Sequence, residues 1–487
     1  MKLYFSDFFE VDESVIEEYG AFNISLLTDL PLFIDPFLLF NSDKEDYQNL
    51  HKQIIDYVEY LRNLSLGGGV ATGIVKSLYR FPEIRQNWLG YSMQGNGGRG
   101  LGPKFANALN RNLNRVFTDF GSEQVTKSSH LEKLTLIEPG VGRDSISDFT
   151  TNLIHGYLLE YTQEFARLNI QPRFIQSRRI SKAVFSYKTH SWVEKTYELP
   201  VHDGSHVLLT PMDILTKDET WISRSDLIRQ FDSIPLAISN EELRAKISHY
   251  FNSVLPPKPT SKETNEAKGK TIDKFPQIMD YYILEKEESG DEAQSISKAK
   301  VGDSQQLYIN QFRQLPQLLS QNTAFYNALG DTKQESYMRV IFLKQVIENN
   351  DGYKMLWLDG KPISREADLH ILYRLTWFAT VSDVNHEANN GRGATDYTAS
   401  RGSSDKSIIE FKLASNSHLK DNLAKQTDVY ALANQTDKKI IVIMYFTERE
   451  YQNVIRILRE LNMSDDKDVV LIDSRADNKP SASTIRI

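Results

Sequence analysis

The 487-residue sequence contains no cysteine. Disulfide bonds and cysteine-based zinc sites are therefore excluded, which fits a reducing compartment. No apolar run approaches the length of a transmembrane helix, and residues 1–7 turn acidic too early for a signal peptide. We therefore expect a soluble, cytoplasmic protein with no membrane partner.

The sequence also lacks a basic excess. Its 57 lysines and arginines are outnumbered by 65 aspartates and glutamates, and the formal net charge is −8. Overall charge therefore gives no sign of nucleic-acid binding, although a local patch suffices for a nuclease. One stretch of the C-terminal part does gather basic residues, namely Arg392, Arg401, Lys406, Lys412, Lys420 and Lys425. No Gly-x-x-x-x-Gly-Lys-Ser/Thr loop is present, so any ATPase motor would be a separate partner chain.

The most informative stretch predicts a β-hairpin over residues 396–413. Residues 407–413 alternate, with Phe411 and its apolar neighbours on one face and Glu410 and Lys412 on the other. Asp396 opens a second strand, residues 396–400, and the intervening residues 401–405 are rich in turn formers. The hairpin would bring the carboxylate of Asp396 beside that of Glu410.

Two carboxylates and an ammonium group at one place favour phosphodiester hydrolysis. Hard oxygen ligands suit Mg²⁺ or Mn²⁺, which would offset carboxylate repulsion, polarise the phosphate and acidify a bound water. Lys412 would position that water and stabilise charge on the transition state. A Glu-x-Lys on a strand is by itself more often the solvated face of a sheet, so the prediction depends on the whole combination.

This combination resembles the core of the PD-(D/E)XK nuclease superfamily, which pairs an Asp with a Glu-x-Lys on the next strand. The resemblance implies that Asp396 is the first metal ligand, Glu410 the second and Lys412 the catalytic lysine. The proline that usually precedes the Asp is replaced by Thr395. The resemblance covers roughly residues 335–473 and does not reach the N-terminal half.

The same resemblance implies further site residues. The family places a helix after the lysine strand, often with a glutamine facing the site, and Gln426 lies in the apolar stripe of a helix predicted over residues 417–434. A structural buried amide is an equal alternative for Gln426. Glu387 and Glu366 are candidates for a third acidic ligand; we favour Glu387, because Glu366 is also explained by the helix dipole. Arg392 either contacts the scissile phosphate or belongs only to the turn.

We expect an α/β protein in three parts. Residues 334–487 would form the nuclease-like domain with a restriction-endonuclease-like αβββαβ core. The elements predicted there are helices at 334–349, 364–382 and 448–461, with strands at 384–388, 396–400, 407–413, 439–446 and 469–473. Residues 256–333, which open with Pro256 and polar residues up to Ala267, would be a linker and helical connector.

Residues 1–255 would form an α+β domain that recognises DNA, a modified base or a partner. We expect a strand at 31–40 interrupted at Asp35, another at 130–137, helices at 43–64 and 145–169, and three strands within 184–209. Asp43 and Asp144 are the expected N-caps of the two helices. The Gly-x-Gly-x-x-Gly of residues 95–100 is interpreted as a surface loop or a phosphate-binding nest rather than a dinucleotide site. Residues 202–206, which contain two histidines, are interpreted as a hairpin turn rather than a metal site.

These patterns together predict a Mg²⁺-dependent DNA endonuclease. Cleavage of a duplex by one such site per chain favours a homodimer. A role in bacterial defence against phage DNA rests on analogy of architecture alone. The alternatives are a non-catalytic nucleic-acid-binding or assembly subunit with the same fold, and an RNA nuclease.

Overall fold

The computed structural model describes most of the chain. The described residues are 2–66, 70–90, 101–113, 120–138, 141–217, 219–313, 315, 330–349, 352–358, 360–377, 380, 382–389, 394–402, 404–424 and 436–479. The fold mixes helices and sheets, as the α/β class requires. No helix in these ranges is both long and apolar enough to cross a bilayer.

Helices dominate the N-terminal half, together with one long β-hairpin. The helices are α1 Phe5–Phe9, α2 Glu13–Glu18, α3 Pro36–Phe40, α4 Glu45–Ser65, α5 Thr72–Ile74, α6 Pro103–Leu113, α7 Lys133–Ile137, α8 Arg143–Leu153, α9 His155–Asn169, α10 Arg224–Gln230, α11 Ile234–Ala237 and α12 Glu241–Val254. The strands are β1 Phe33–Ile34, β2 Ile175–Ser186, β3 Ser191–His202, β4 Ser205–His206 and β5 Leu215–Thr216. The hairpin β2–β3 packs on α9.

The C-terminal half contains a five-stranded sheet. The connecting helices are α13 Ser261–Lys274, α14 Gln277–Glu288 and α15 Gly290–Ser304, which continues into a π-helical segment, Gln305–Gln311. The remaining elements are α16 Thr332–Asn349, β6 Trp357–Leu358, β7 Lys361–Pro362, α17 Glu366–Leu375, β8 Asp383–Asn389, β9 Ala394–Arg401, β10 Asp405–Leu413, β11 Lys439–Tyr445, α18 Glu448–Glu460 and β12 Val469–Asp473. Residues 419–424, between β10 and β11, are helical.

The sheet runs in the order β12-β11-β10-β9-β8. Strands β8, β9 and β10 are antiparallel neighbours, whereas β10, β11 and β12 are parallel. Parallel neighbours require crossover connections, and residues 419–424 and α18 lie in these two connections. The sheet is therefore mixed, with its antiparallel half formed by the predicted hairpin.

Both faces of the central strands are covered. Val442 and Met444 of β11 belong to the large core on the face where α16 packs. Ile441 and Ile443 belong to a second cluster, which α18 and Leu419 complete on the opposite face. A continuous apolar strand is the sequence signature of this arrangement, and it predicted β11 correctly.

One buried cluster joins the two halves of the chain. It runs from Leu3 near the N-terminus through Val301 and Tyr308 to Ile472 in β12. The polar stretch that was expected to be a linker is helix α13, which begins with a capping box between Thr260 and the side chain three residues later. The boundaries predicted at residues 255 and 333 stay a prediction, because shared packing does not test whether each part folds alone.

Three expectations for the N-terminal half were wrong. Only Phe33–Ile34 of the strand predicted at 31–40 is extended, because the Asp35 side chain accepts a hydrogen bond from the Phe37 N–H and caps a new helix with proline in its first turn. Residues 133–137 form helix α7 instead of a strand, since a short apolar run is ambiguous between the two. The helix predicted at 145–169 is two helices that meet at Ile154.

Several element ends also moved. The N-caps are Lys44 for α4 and Gly142 for α8, not Asp43 and Asp144. Helix α17 begins after Arg365 and ends at Leu375, seven residues before the predicted end at 382. The three strands predicted within 184–209 are β2, β3 and β4, which start earlier, at Ile175. The turn between β3 and β4 has positive φ angles at Asp203 (46°) and Gly204 (78°), as expected for a hairpin turn at residues 202–206.

Candidate active site

The end of the β9–β10 hairpin brings two carboxylates together. The paired register runs from the turn to Ile409 opposite Tyr397. Beyond that pair, the Asp396 carboxylate accepts the Phe411 N–H at 2.6 Å, and the Asp396 N–H donates to Glu410 Oε1 at 3.2 Å. Side chains therefore take over the hydrogen bonds where the two strands stop pairing, and this fixes both acidic groups.

Lys412 lies between the two carboxylates. Its Nζ is 3.2 Å from Asp396 Oδ2, 3.2 Å from Glu410 Oε2 and 3.8 Å from Glu366 Oε2. Glu410 and Lys412 are buried, at 2% and 7% exposure, on the sheet face they share with Ile441 and Ile443. The structure thus brings together Asp396, Glu410 and Lys412, as the hairpin prediction required.

Helix α17 adds two groups to this site. Glu366 Oε1 accepts the Leu413 N–H at 3.2 Å and the Asn416 side-chain amide at 3.1 Å, so it fixes the end of β10. His370 Nε2 lies 3.5 Å from Asp396 Oδ2. Sequence reasoning missed His370, although the four-residue spacing from Glu366 places both on one face of the helix.

The same helix is anchored by residues outside the sheet. Asp368 lies between Glu366 and His370 and accepts a hydrogen bond from the Tyr308 hydroxyl at 2.6 Å. The Tyr308 carbonyl in turn accepts the Tyr4 hydroxyl at 2.6 Å. The position of α17 therefore depends on residues far outside the sheet.

Burial and neighbouring charges shift the pKa values of four groups in the site, namely Glu410, Asp396, Lys412 and His370. Burial and the nearby Asp396 charge raise the pKa of Glu410 to about 8. Burial alone would raise the pKa of Asp396, but His370 and Lys412 bring it well below its usual range. The neighbouring carboxylates outweigh burial and raise the pKa of Lys412, and Asp396 does the same for His370. At neutral pH the metal-free site therefore holds Asp396 as a carboxylate, Lys412 as ammonium and Glu410 largely protonated.

Not every predicted site residue can be placed. Gln426 and Arg392 lie outside the described residues. Glu387 lies on β8 between the pairs His386–Tyr397 and Ala388–Thr395, at the register position of Asp396, but its side chain is outside the description.

The basic cluster is partly neutralised by ion pairs. Arg401 pairs with Glu335 at 2.5 Å, and Lys420 pairs with Glu460 at 2.7 Å. Lys425 of the same cluster is outside the described residues. Of the described members, these two therefore offer phosphate less charge than the sequence suggests.

Two carboxylates of the site are suitable ligands for one hard divalent cation. Asp396 and Glu410 supply carboxylate oxygens on adjacent strands, and burial together with the Asp396 charge raises the pKa of Glu410 despite the neighbouring Lys412. Within the described residues, no three His, Asp or Glu side chains are arranged to hold a metal ion. The described chain thus offers a pair of carboxylates, not a complete metal cage.

Comparison with known proteins gives two matches. Residues 10–223 match a family model described as a domain of unknown function (DUF8370), and residues 332–448 match another described as a domain of unknown function (DUF8371). No curated protein and no solved structure matches the chain. The second match contains α16, α17, β8–β11 and the whole candidate site.

The ionisation of Glu410 leads to a stability prediction. Its folded pKa of about 8 lies above its ordinary value of 4.5, so the stability it contributes is complete below pH 4.5 and is lost as pH rises through 8. Glu410→Gln stays neutral and avoids this loss. Without metal, we expect the variant to gain on the wild type by on the order of 4 kcal/mol in free energy of unfolding between pH 5 and pH 9.

Urea denaturation in EDTA at a series of pH values measures this gain. Glu288→Gln is the matched control, because it removes the same charge from an exposed position on α14. Parallel pH profiles for Glu410→Gln and the wild type would contradict the prediction.

Proposed function

We propose that the chain is a metal-dependent endonuclease that hydrolyses phosphodiester bonds in DNA. The observation that carries this proposal is the position of Lys412, whose Nζ lies 3.2 Å from the carboxylates of both Asp396 and Glu410. Two acids and one ammonium group at the end of adjacent strands are the groups that metal-assisted hydrolysis needs.

The arrangement of elements supports the same proposal. A helix packs on the sheet, three antiparallel strands follow, and a crossover leads to a parallel strand. This order supports the αβββαβ core that the resemblance to PD-(D/E)XK nucleases implies. The intervening helix is described only over residues 419–424.

Asp396 and Glu410 would hold Mg²⁺ or Mn²⁺, and Glu387 or Glu366 would supply a third acid. When bound, the ion supplies Lewis-acid activation of the phosphate and of a water. Because its pKa is raised, Lys412 remains protonated and acts as a hydrogen-bond donor to the phosphate or water, not as a base. His370 would help to hold the Asp396 carboxylate, since its Nε2 lies 3.5 Å from Oδ2, the oxygen that Lys412 also contacts. In the reaction, a water oxygen bonds to phosphorus while one P–O ester bond breaks; the water gives up one proton and the leaving sugar oxygen gains one, so the products are a phosphate monoester and a hydroxyl group.

One observation favours a second candidate function. Lys412 is already surrounded by three carboxylates, which would also stabilise an inert ion cluster. A non-catalytic nucleic-acid-binding or assembly subunit, working with a separate ATPase or another partner, is the proposal that fits this reading. A homodimer and a role in defence against foreign DNA stay predictions of the first proposal.

The proposal is tested by incubating the purified chain with supercoiled DNA, linear DNA and RNA in Mg²⁺, Mn²⁺ or EDTA. We expect metal-dependent nicking or linearisation of DNA, abolished by EDTA and by Glu410→Gln. Glu460→Gln, which weakens only exposed ion pairs with Lys420 and Arg456, should cleave normally. Undiminished cleavage by Glu410→Gln would overturn the site, metal-dependent binding without cleavage would favour the second candidate, and selective loss of RNA would make the chain an RNA nuclease.

A further inference from the structure

The N-terminal half contains a cavity of about 670 Å³ that the proposed nuclease function does not use. Its lining residues come mainly from helices α4 and α9 and from the β2–β3 hairpin. Its volume is in the range of small-molecule sites. Six of its lining residues are aromatic, namely Tyr57, Tyr157, Tyr161, Phe185, Tyr187 and Trp192.

The aromatic residues form two groups, and the rings within each group are in contact. On the hairpin side, the ring of Phe185 lies 4.9 Å from Tyr57, 5.1 Å from Tyr187 and 5.5 Å from Trp192 between centroids. On α9, Tyr157 and Tyr161 are one turn apart and nearly parallel, with centroids 5.9 Å apart. The cavity is therefore bordered by π-systems on two sides.

Two of the four tyrosine hydroxyls around the cavity donate to backbone carbonyls. The Tyr57 hydroxyl donates to the Leu78 carbonyl at 2.8 Å, and the Tyr161 hydroxyl donates to the Tyr19 carbonyl at 3.0 Å. Tyr161 is only partly buried and therefore offers a ligand ring surface, whereas Tyr57, at 1% exposure, supports the ring of Phe185 from behind.

The charges around the cavity have an acidic excess. Asp46, Glu160 and Glu164 face a single lysine, Lys195, whose Nζ is 3.8 Å from Glu160. Asp46 and Glu164 are exposed, and neither makes a side-chain hydrogen bond or ion pair with another residue in the described ranges. Two carboxylates thus remain to attract a positive group, while a phosphate would be repelled.

We propose that this cavity binds an organic cation, with an alkylammonium group held against the aromatic rings. Ring faces attract cations, and desolvation in a cavity strengthens that attraction. The surrounding carboxylates add Coulomb attraction that a neutral ligand would not receive. The cation is either a free polyamine or the lysine side chain of another protein. This inference is independent of the nuclease proposal, because the cavity shares no residue with the candidate active site.

The first test is a titration of tryptophan fluorescence with tetramethylammonium chloride. Sodium chloride at equal ionic strength controls for charge screening, and tert-butanol controls for a neutral group of similar size. Trp192→Phe identifies the reporting indole and keeps an aromatic ring at that position. We expect a saturable response to tetramethylammonium at least about tenfold stronger than to either control; an equal response to sodium ion or tert-butanol would overturn the proposal.

The second test uses variants with opposite expected effects. Glu164→Gln should weaken tetramethylammonium binding about three- to tenfold, whereas Lys195→Met should strengthen it about two- to fivefold by releasing Glu160. Glu288→Gln should leave it unchanged. Because both cavity substitutions are at exposed positions, folding is expected to persist, and circular dichroism verifies it. Weaker binding by Lys195→Met, or unchanged binding by Glu164→Gln, would overturn the proposal.

A comparison of two ligands separates the sources of the cation. Tighter binding of spermidine than of a Gly-Lys-Gly peptide supports a free polyamine, and the reverse order supports a protein lysine. Failure of both to bind would overturn the proposal, without bearing on DNA cleavage.

Discussion

Lys412→Ala is expected to lower the rate of DNA cleavage about 10²–10³-fold in saturating Mg²⁺. The ammonium group is the donor that lies between Asp396 and Glu410, and its raised pKa keeps it charged throughout the neutral range. Its loss removes a hydrogen-bond donor from the place where negative charge develops. Single-turnover conversion of supercoiled plasmid to nicked and linear forms measures the effect.

Two further variants distinguish chemistry from folding. Lys412→Arg keeps the charge and part of the packing, so it should fold, yet its planar guanidinium changes the donor geometry and should still slow cleavage. Lys420→Ala removes an exposed lysine of the same basic cluster and should cleave at nearly the wild-type rate. A Lys412→Ala rate within about threefold of the wild type would rule out the catalytic lysine, since a single lost donor costs more than that.

Glu335→Leu is expected to cost about 3–5 kcal/mol in free energy of unfolding, the largest stability loss we anticipate. Glu335 is 4% exposed and lies on α16. Its carboxylate accepts hydrogen bonds from Arg339 at 2.6 Å, Arg401 at 2.5 Å and Thr380 at 2.6 Å. Removing it leaves the guanidinium groups of Arg339 and Arg401 without their carboxylate, at the place where helix α16 meets β9. Urea denaturation measures the loss, and Glu460→Gln, in an exposed ion pair, should change stability by less than about 1 kcal/mol.

The pH dependence of stability is a second test of the role of Glu335. Burial acts to raise the pKa of Glu335, but the hydrogen bonds from Ser382, Thr380 and the two arginines bring it down to about 2. Its contribution to stability is therefore complete above pH 4.5, the ordinary value, and is lost as pH falls toward 2. The difference between Glu335→Leu and the wild type should shrink over that acidic range. A difference that stays constant with pH, or a loss below about 1 kcal/mol, would show that the buried cluster does not stabilise the fold.

The sequence predicted the sheet better than the rest because its strands carry local signals. Alternation located β10, the turn formers located the hairpin, and a continuous apolar run located β11. The juxtaposition of Asp396 and Glu410 followed from these patterns, since pairing in a hairpin is nearly a local property.

The remaining features depend on contacts between distant parts of the chain. His370 reaches Asp396 only because α17 packs against β10, which no short pattern specifies. Residues 133–137 fold as a helix within tertiary packing that overrides their ambiguous apolar run. The short strand at Phe33–Ile34 ends at Asp35, because the Asp35 side chain accepts a hydrogen bond from the Phe37 N–H and caps the helix that follows.

The contact between Tyr308 and Asp368 limits how this protein could be divided by engineering. Along the sequence, the two family-model matches, residues 10–223 and 332–448, resemble two separable domains. Yet Tyr308, which belongs to neither, receives the Tyr4 hydroxyl on its carbonyl and donates its own hydroxyl to the helix that carries Glu366 and His370. If residues 332–448 were transferred alone to another protein, helix α17 would lose its hydrogen bond from Tyr308. A transferable fragment would therefore have to include the segment around residue 308 and a substitute for Tyr4.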